Sequence, residues 1–250
     1  VTSLENKYYK FHGLNLTIET LDGLLKHNGP IIEQTPLKKI LGDNLFNKKI
    51  SFSCAPSLEA QVASISDDIA YNNHDLEDGL RARLFSFKKL SSISFLSKMI
   101  KKHTNQIKNF RREIIISQIV RDLINLMVVD VVKQTNKNLI KHNPKTTNDI
   151  YKQNNNLVDF SSKVKNIDYH VKDFLKKNMY NNKNVIANTN KGKKVVDDLF
   201  KYLLNNPMKY IDKKLFKNEQ KERVIADFIA GMTDRYAINL HKKIKWIFLK

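Results

Sequence analysis

The chain has 250 residues, a mass of 29.1 kDa and a formal charge of +19, enough for one domain, or one and a half, around a respectable core. Hydrophobic residues are 41% of the chain and charged residues 28%, the mix of a soluble globular protein. No window approaches the roughly 18 uninterrupted apolar residues that a membrane span needs, no signal peptide opens the chain, and the single Cys54 excludes an internal disulfide framework and any Cys-rich zinc module. A cytoplasmic location is the expectation.

The charge comes from 37 Lys and only seven Arg, beside 28 Asn. Nucleic-acid readers rely on Arg for bidentate and stacked contacts. Much of the charge therefore reads as the drift of an AT-rich genome at tolerant surface positions. A preference for anionic ligands, nucleotides or nucleic acid, stays open.

Seven Gly and five Pro give little turn punctuation, which favours helices. Thr17 to Asn28 is predicted as a helix, capped by Thr17 and ended at Gly29-Pro30. A looser stretch with an apolar piece, Leu41 to Phe46, leads to Pro56. Ser57 opens a second helix expected to reach about Asn73, and Phe87 to Lys102 carries another pattern. The long helix from about Gln106 to Leu139 has Ile116, Val120, Leu123 and Met127 on one apolar face, and Asn143-Pro144 breaks it. A polar loop is expected to about Asn156. Helical patterns return at Val164 to Tyr180, Lys194 to Leu204 and Lys221 to Phe248, with an exposed Asn- and Lys-rich segment from Asn181 to Gly192. No alternating run supports a strand. The expected fold is all-α, with residues 1–145 and 146–250 as its two regions.

Composition departs from drift in one place. Residues 50–80 contain no Lys or Arg, where the chain average would supply about five, and they carry Glu59, Asp67, Asp68, Asp75, Glu77 and Asp78. On a helical wheel Leu58, Val62, Ile65 and Ile69 form a stripe, opposed by Ala60, Ala63, Ser64, Asp67 and Tyr71. Small residues on that second side suit close packing, so the helix is expected to be covered on both sides and Asp67 to be partly buried. A buried carboxylate needs a cation or donors. Asp67, Tyr71 and Asp75 fall at i, i+4 and i+8, neighbours along one side. Acids that cap helices or pair with lysines are the competing explanation.

The block Leu58-Glu-Ala-Gln-Val-Ala-Ser-Ile-Ser-Asp-Asp-Ile-Ala-Tyr-Asn-Asn-His-Asp-Leu-Glu-Asp-Gly-Leu-Arg-Ala82 closely resembles a signature of bacterial deoxyguanosinetriphosphate triphosphohydrolases, which are HD-domain phosphohydrolases. Asn15 to Pro30, Asp159-Phe-Ser161, Phe174-Leu175 with Tyr180, and Ala226 to Ala237 are similar to further family blocks in the same order. The resemblance implies the C-terminal part of an HD-type helical bundle with additional C-terminal helices. It also implies metal-dependent hydrolysis, of the Mg or Mn type, of a deoxynucleoside triphosphate to deoxynucleoside and triphosphate. Family members hold the metal with a His, an adjacent His-Asp pair and a later Asp, and the metal polarises the α-phosphate and orients water. The later Asp corresponds to Asp67, and the positions that contact sugar and phosphates in related enzymes correspond to Tyr71 and Asp75. Homo-oligomers are the family habit.

The family's first His and its His-Asp pair lie upstream of the Asn15 segment, and this chain is expected to lack them. On that view no catalytic His is present and the chain alone is inactive. His27, His74-Asp75 and Asp122 or Asp130 spell out the same order of residue types. However, His74-Asp75 sits inside the block that supplies the later Asp, which argues against that reading. Arg111-Arg112 and Arg121 could reach a triphosphate, and Asp234-Arg235-Tyr236 a pocket or subunit contact; solvated faces and an internal ion pair are the plainer explanations. Lys191 to Lys194 lacks the glycine spacing of a phosphate loop, and His12, His103, His142, His170 and His241 suggest no metal site. The alternative function is a non-catalytic remnant that binds nucleotide or nucleic acid.

Overall fold

The computed structural model describes residues 13–33, 51–105, 109–217 and 219–248, with 1, 2, 5, 7–11 and 35. The Leu41 to Phe46 piece, Gln106 and His12 lie outside these residues. Ten α-helices and no strand occur among the described residues, as the low turn content leads one to expect. The chain divides into two compact units, Val1–Asn178 and Met179–Lys250.

In the first unit, α1 (Ile18–Leu25) starts at Thr17, whose hydroxyl accepts from the Thr20 amide at 3.3 Å. It stops before Gly29, whose φ of 107° suits glycine. Lys26 is 1% exposed and spends its ammonium on the Asp22 carboxylate at 2.9 Å and on the Ser51 and Ala55 carbonyls, each at 3.3 Å. That strut ties α1 to the loop leading into α2 (Leu58–Arg81).

After α2 come α3 (Phe87–Leu90), α4 (Ser94–Thr104) and α5 (Arg112–His142). The pattern expected as one helix over Phe87 to Lys102 is broken at Ser91–Ile93, and α5 ends at Asn143 in the left-handed conformation. The polar stretch expected to be a loop contains α6 (Thr147–Tyr151), nucleated by a capping box between Thr146 and Asp149. Next is α7 (Ser162–Leu175), capped by Ser161. The core gathers Leu76, Leu80, Leu90, Leu96, Ile100, Ile116, Leu123 and Met127, where α5 packs on α2 and α4. The Ile116, Val120, Leu123, Met127 face expected from sequence is the buried face of α5. Helices α6 and α7, which follow residue 145, belong to this first unit.

The second unit contains α8 (Lys183–Asn205), α9 (Lys221–Ala230) and α10 (Asp234–Phe248), with two short 3-10 turns between α8 and α9. The single pattern over Lys221 to Phe248 is two helices, because Gly231 to Thr233 interrupts it. Leu199, Leu203, Ile211, Ile225, Leu240 and Ile244 form the core. Asn181 to Gly192 is exposed as expected, yet from Lys183 onward it is helical. No helix among the described residues is long and apolar enough to cross a membrane.

Candidate functional site

Helix α2 carries all three candidate residues. Pro56 precedes it, and the Ser57 hydroxyl accepts from the Ala60 amide at 3.3 Å, satisfying one of the free N–H groups of the first turn. The helix runs eight residues beyond the expected end near Asn73. Asn72 and Asn73, at that expected end, point inward, 4% and 1% exposed. Their NH₂ groups are bonded, Asn72 to Asp168 at 2.8 Å and Asn73 to the Ile69 carbonyl at 2.7 Å, while the buried Asn73 Oδ1 accepts no hydrogen bond from the described residues. Farther along, Gly79 lets the Phe85 ring lie against the helix; a Cβ there would sit 2.3 Å from the ring edge.

The buried face of α2 consists of Ala60, Gln61, Ile69, Asn72, Asn73, Leu76, Gly79 and Leu80. This corrects the expected stripe, since Val62 is 49% exposed and Leu58 only half-buried. It also corrects the expected burial of Asp67. Asp67 and Ala63 are exposed, Tyr71 is 59% exposed and Asp75 is half-buried. The physical reason is that α1, α5 and α7 pack on α2 without covering this flank. The burial argument for Asp67 therefore fails, and its assignment as a ligand rests on the family block alone.

Electrostatically, the open flank is acidic at its edge and pinned behind. Glu77 accepts from Arg81 at 2.6 Å and from Ser117 at 3.3 Å. The Arg81 hydrogen bond, with burial opposing it, holds the Glu77 carboxyl below its ordinary pKa. Exposed His74 lies 3.8 Å from Glu77. On the neighbouring side, a cleft of about 260 Å³ is lined by Gln61, Ser64, Asp68, Asp159, Lys165 and Asp168, among others.

The residues that imitate a complete ligand set are dispersed. The His27 ring is bonded to the Leu24 carbonyl at 2.8 Å. Asp122 pairs with His103 at 2.8 Å, and Asp130 accepts from the amide and hydroxyl of Ser161 at 2.8 and 2.7 Å. Arg112 donates to the Leu80 carbonyl and stacks on Phe87 at 4.8 Å, while Arg121 reaches Gln118. Asp234, Arg235 and Tyr236 are exposed at the start of α10. Among the described residues, no three His, Cys, Asp or Glu side chains are grouped so as to hold a metal ion. A cation such as Mg²⁺ demands near-octahedral oxygen coordination, and one exposed carboxylate does not supply it. The described residues do not form a metal centre by themselves.

Sequence reasoning missed two His–Asp pairs in which a buried His meets a half-buried Asp: His103–Asp122, and His241–Asp198 at 2.7 Å in the second unit. Each His is 8% exposed. Neither partner is near in sequence, so no spacing could have revealed them.

Residues 158–243 match the phosphohydrolase-associated domain family. Over 98% of its length the chain is 50% identical to a deoxyguanosinetriphosphate triphosphohydrolase-like protein of Pelagibacter ubique (strain HTCC1062). Over nearly its whole length the chain is thus similar to a member of the deoxyguanosinetriphosphate triphosphohydrolase-like proteins, and its last third matches a phosphohydrolase-associated domain. Like-named triphosphohydrolase-like proteins of Bartonella henselae (strain ATCC 49882 / DSM 28221 / CCUG 30454 / Houston 1) and Rickettsia rickettsii (strain Iowa) are 37% and 33% identical, each over 98% of the chain. The chain spans 66%, 63% and 64% of the length of these three family members.

Proposed function

We propose that the chain is part of a metal-dependent deoxynucleoside triphosphate triphosphohydrolase of the dGTP type, which releases deoxynucleoside and inorganic triphosphate. Tyr71 and Asp75 contact the nucleotide from the open flank of α2, and Asp67 is one ligand of a divalent metal whose other ligands belong to the family's upstream His and His-Asp region. The observation that supports this most is the Leu58–Ala82 block, lysine-free in a strongly basic chain, with these three side chains along one helix edge. By itself the 250-residue chain is expected to be inactive, because a single carboxylate cannot hold a catalytic cation against water.

The test is triphosphate release from dGTP with magnesium or manganese. The chain alone should show none, and a polypeptide joining it to the upstream region should turn over. Turnover by the chain alone that Asp67→Ala abolishes would refute the missing-ligand reasoning.

A second reading, binding of nucleotide or nucleic acid without catalysis, is favoured by the start of α8. Lys183, Lys191, Lys193 and Lys194 are exposed there, and no acid occurs before Asp197. Binding carried by these lysines would weaken steeply as salt rises.

A further inference from the structure

The hidden side of α2 is more polar than a packing face requires. Gln61, 1% exposed, donates to the Pro56 carbonyl at 2.9 Å and accepts from the amides of Leu157 and Val158 at 2.8 and 3.1 Å. Farther along, two rungs join α2 to α7. Asn72 donates to Asp168 at 2.8 Å in the buried interface; at its solvent edge Asp168 pairs with Lys172 at 2.9 Å, and Lys172 reaches the exposed Asp68 at 3.3 Å. Asp68 and Asn72 are four apart on one helix, Asp168 and Lys172 four apart on the other, so the two helices meet antiparallel. Burial disfavours the Lys172 charge, but the hydrogen bond and charge of Asp168, then those of Asp68, raise its pKa above the ordinary value.

Each rung on α2 immediately follows a candidate site residue: Asp68 after Asp67, Asn72 after Tyr71. Successive residues differ by 100° around a helix. Apolar contacts are non-directional and allow a helix to roll. A carboxylate accepts only, so Asn72 must present its NH₂ to Asp168 along a defined line.

We propose that Asp168 and Lys172, residues of the phosphohydrolase-associated segment, are positioning residues. Through Asn72 and Asp68 they set the roll of α2 about its axis, and so the direction in which Asp67 and Tyr71 face the nucleotide. This rests on the reading of Asp67 and Tyr71 given above. A helix with its side chains has a radius of about 5–6 Å, so a roll of about 10° displaces a group at its edge by about 1 Å. Displacement of that size costs about 10²-fold in rate.

Two measurements test it. In the longer polypeptide, Asp168→Ala and Asn72→Ala should each lower kcat/KM for dGTP by about 10²-fold, and the double variant should lose no more than the worse single. Asp168→Asn keeps an acceptor for Asn72 and should recover to within about tenfold of wild type. Additive losses, or no recovery by Asp168→Asn, would overturn the proposal. In the 250-residue chain, Asp168→Ala should speed amide hydrogen exchange over residues 66–75 and leave the α4–α5 core unchanged; a uniform rise would mean a general fold support and defeat the proposal. A wild-type polypeptide without turnover refutes the nucleotide reading of Asp67 and Tyr71, while the exchange pattern still decides whether the ladder holds α2.

Discussion

Replacing Lys26 by Met keeps an unbranched chain of similar length and removes the ammonium. Three acceptors then lose the ammonium: the Asp22 carboxylate, 8% exposed, the Ala55 carbonyl, and the Ser51 carbonyl, which keeps only the Cys54 amide at 3.2 Å. Breaking a buried ion pair from one side costs about 3–5 kcal/mol, because the surviving charge stays desolvated. At about 2–4 °C per kcal/mol for a unit of this size, that is a drop of roughly 10 °C in unfolding temperature. Adding Asp22→Asn removes the stranded charge, so the double variant should be more stable than Lys26→Met alone. Thermal and urea unfolding followed by circular dichroism measure both changes. A loss under about 1 kcal/mol for Lys26→Met, or a double variant less stable than the single, would refute the buried-strut argument.

Two further outcomes are expected from the same structure. Burial pushes the Asp122 pKa up, but hydrogen bonds from His103 and Gln118 outweigh it and leave it below the ordinary 3.8. A depressed carboxyl contributes stability above its unfolded value and loses it as the pH falls through 3.8 and on toward the folded value; His103→Ala should flatten that acid limb in a pH series of urea midpoints, and an unchanged limb would contradict the pairing. Gly79→Ala forces the Phe85 ring to shift and should cost about 1–3 kcal/mol by overpacking, read as a lower unfolding midpoint; a neutral result would mean the ring moves freely.

The helical class was legible in the sequence because few Gly and Pro interrupt long 3.6-residue patterns, and α5 follows its Ile116, Val120, Leu123, Met127 face. The far half of α2 was not, since Asn72 and Asn73 look solvent-facing until their partners, nearly a hundred residues away for Asp168, are known. The same reasoning misjudged Asp67. Alanine and serine around it suggest a covered flank, yet small residues equally leave a flank bare, and nothing in one helix's pattern distinguishes the two. The family resemblance, by contrast, was legible in the sequence, and the names of the similar proteins agree with it.

The central claim concerns Asp67 as one ligand among several. The most direct measurement is manganese bound per polypeptide in the longer protein, counted by elemental analysis after gel filtration, for wild type and Asp67→Asn. The account predicts bound metal in the wild type and its loss in the variant, with the helical circular dichroism spectrum unchanged. Equal metal content in both would contradict it.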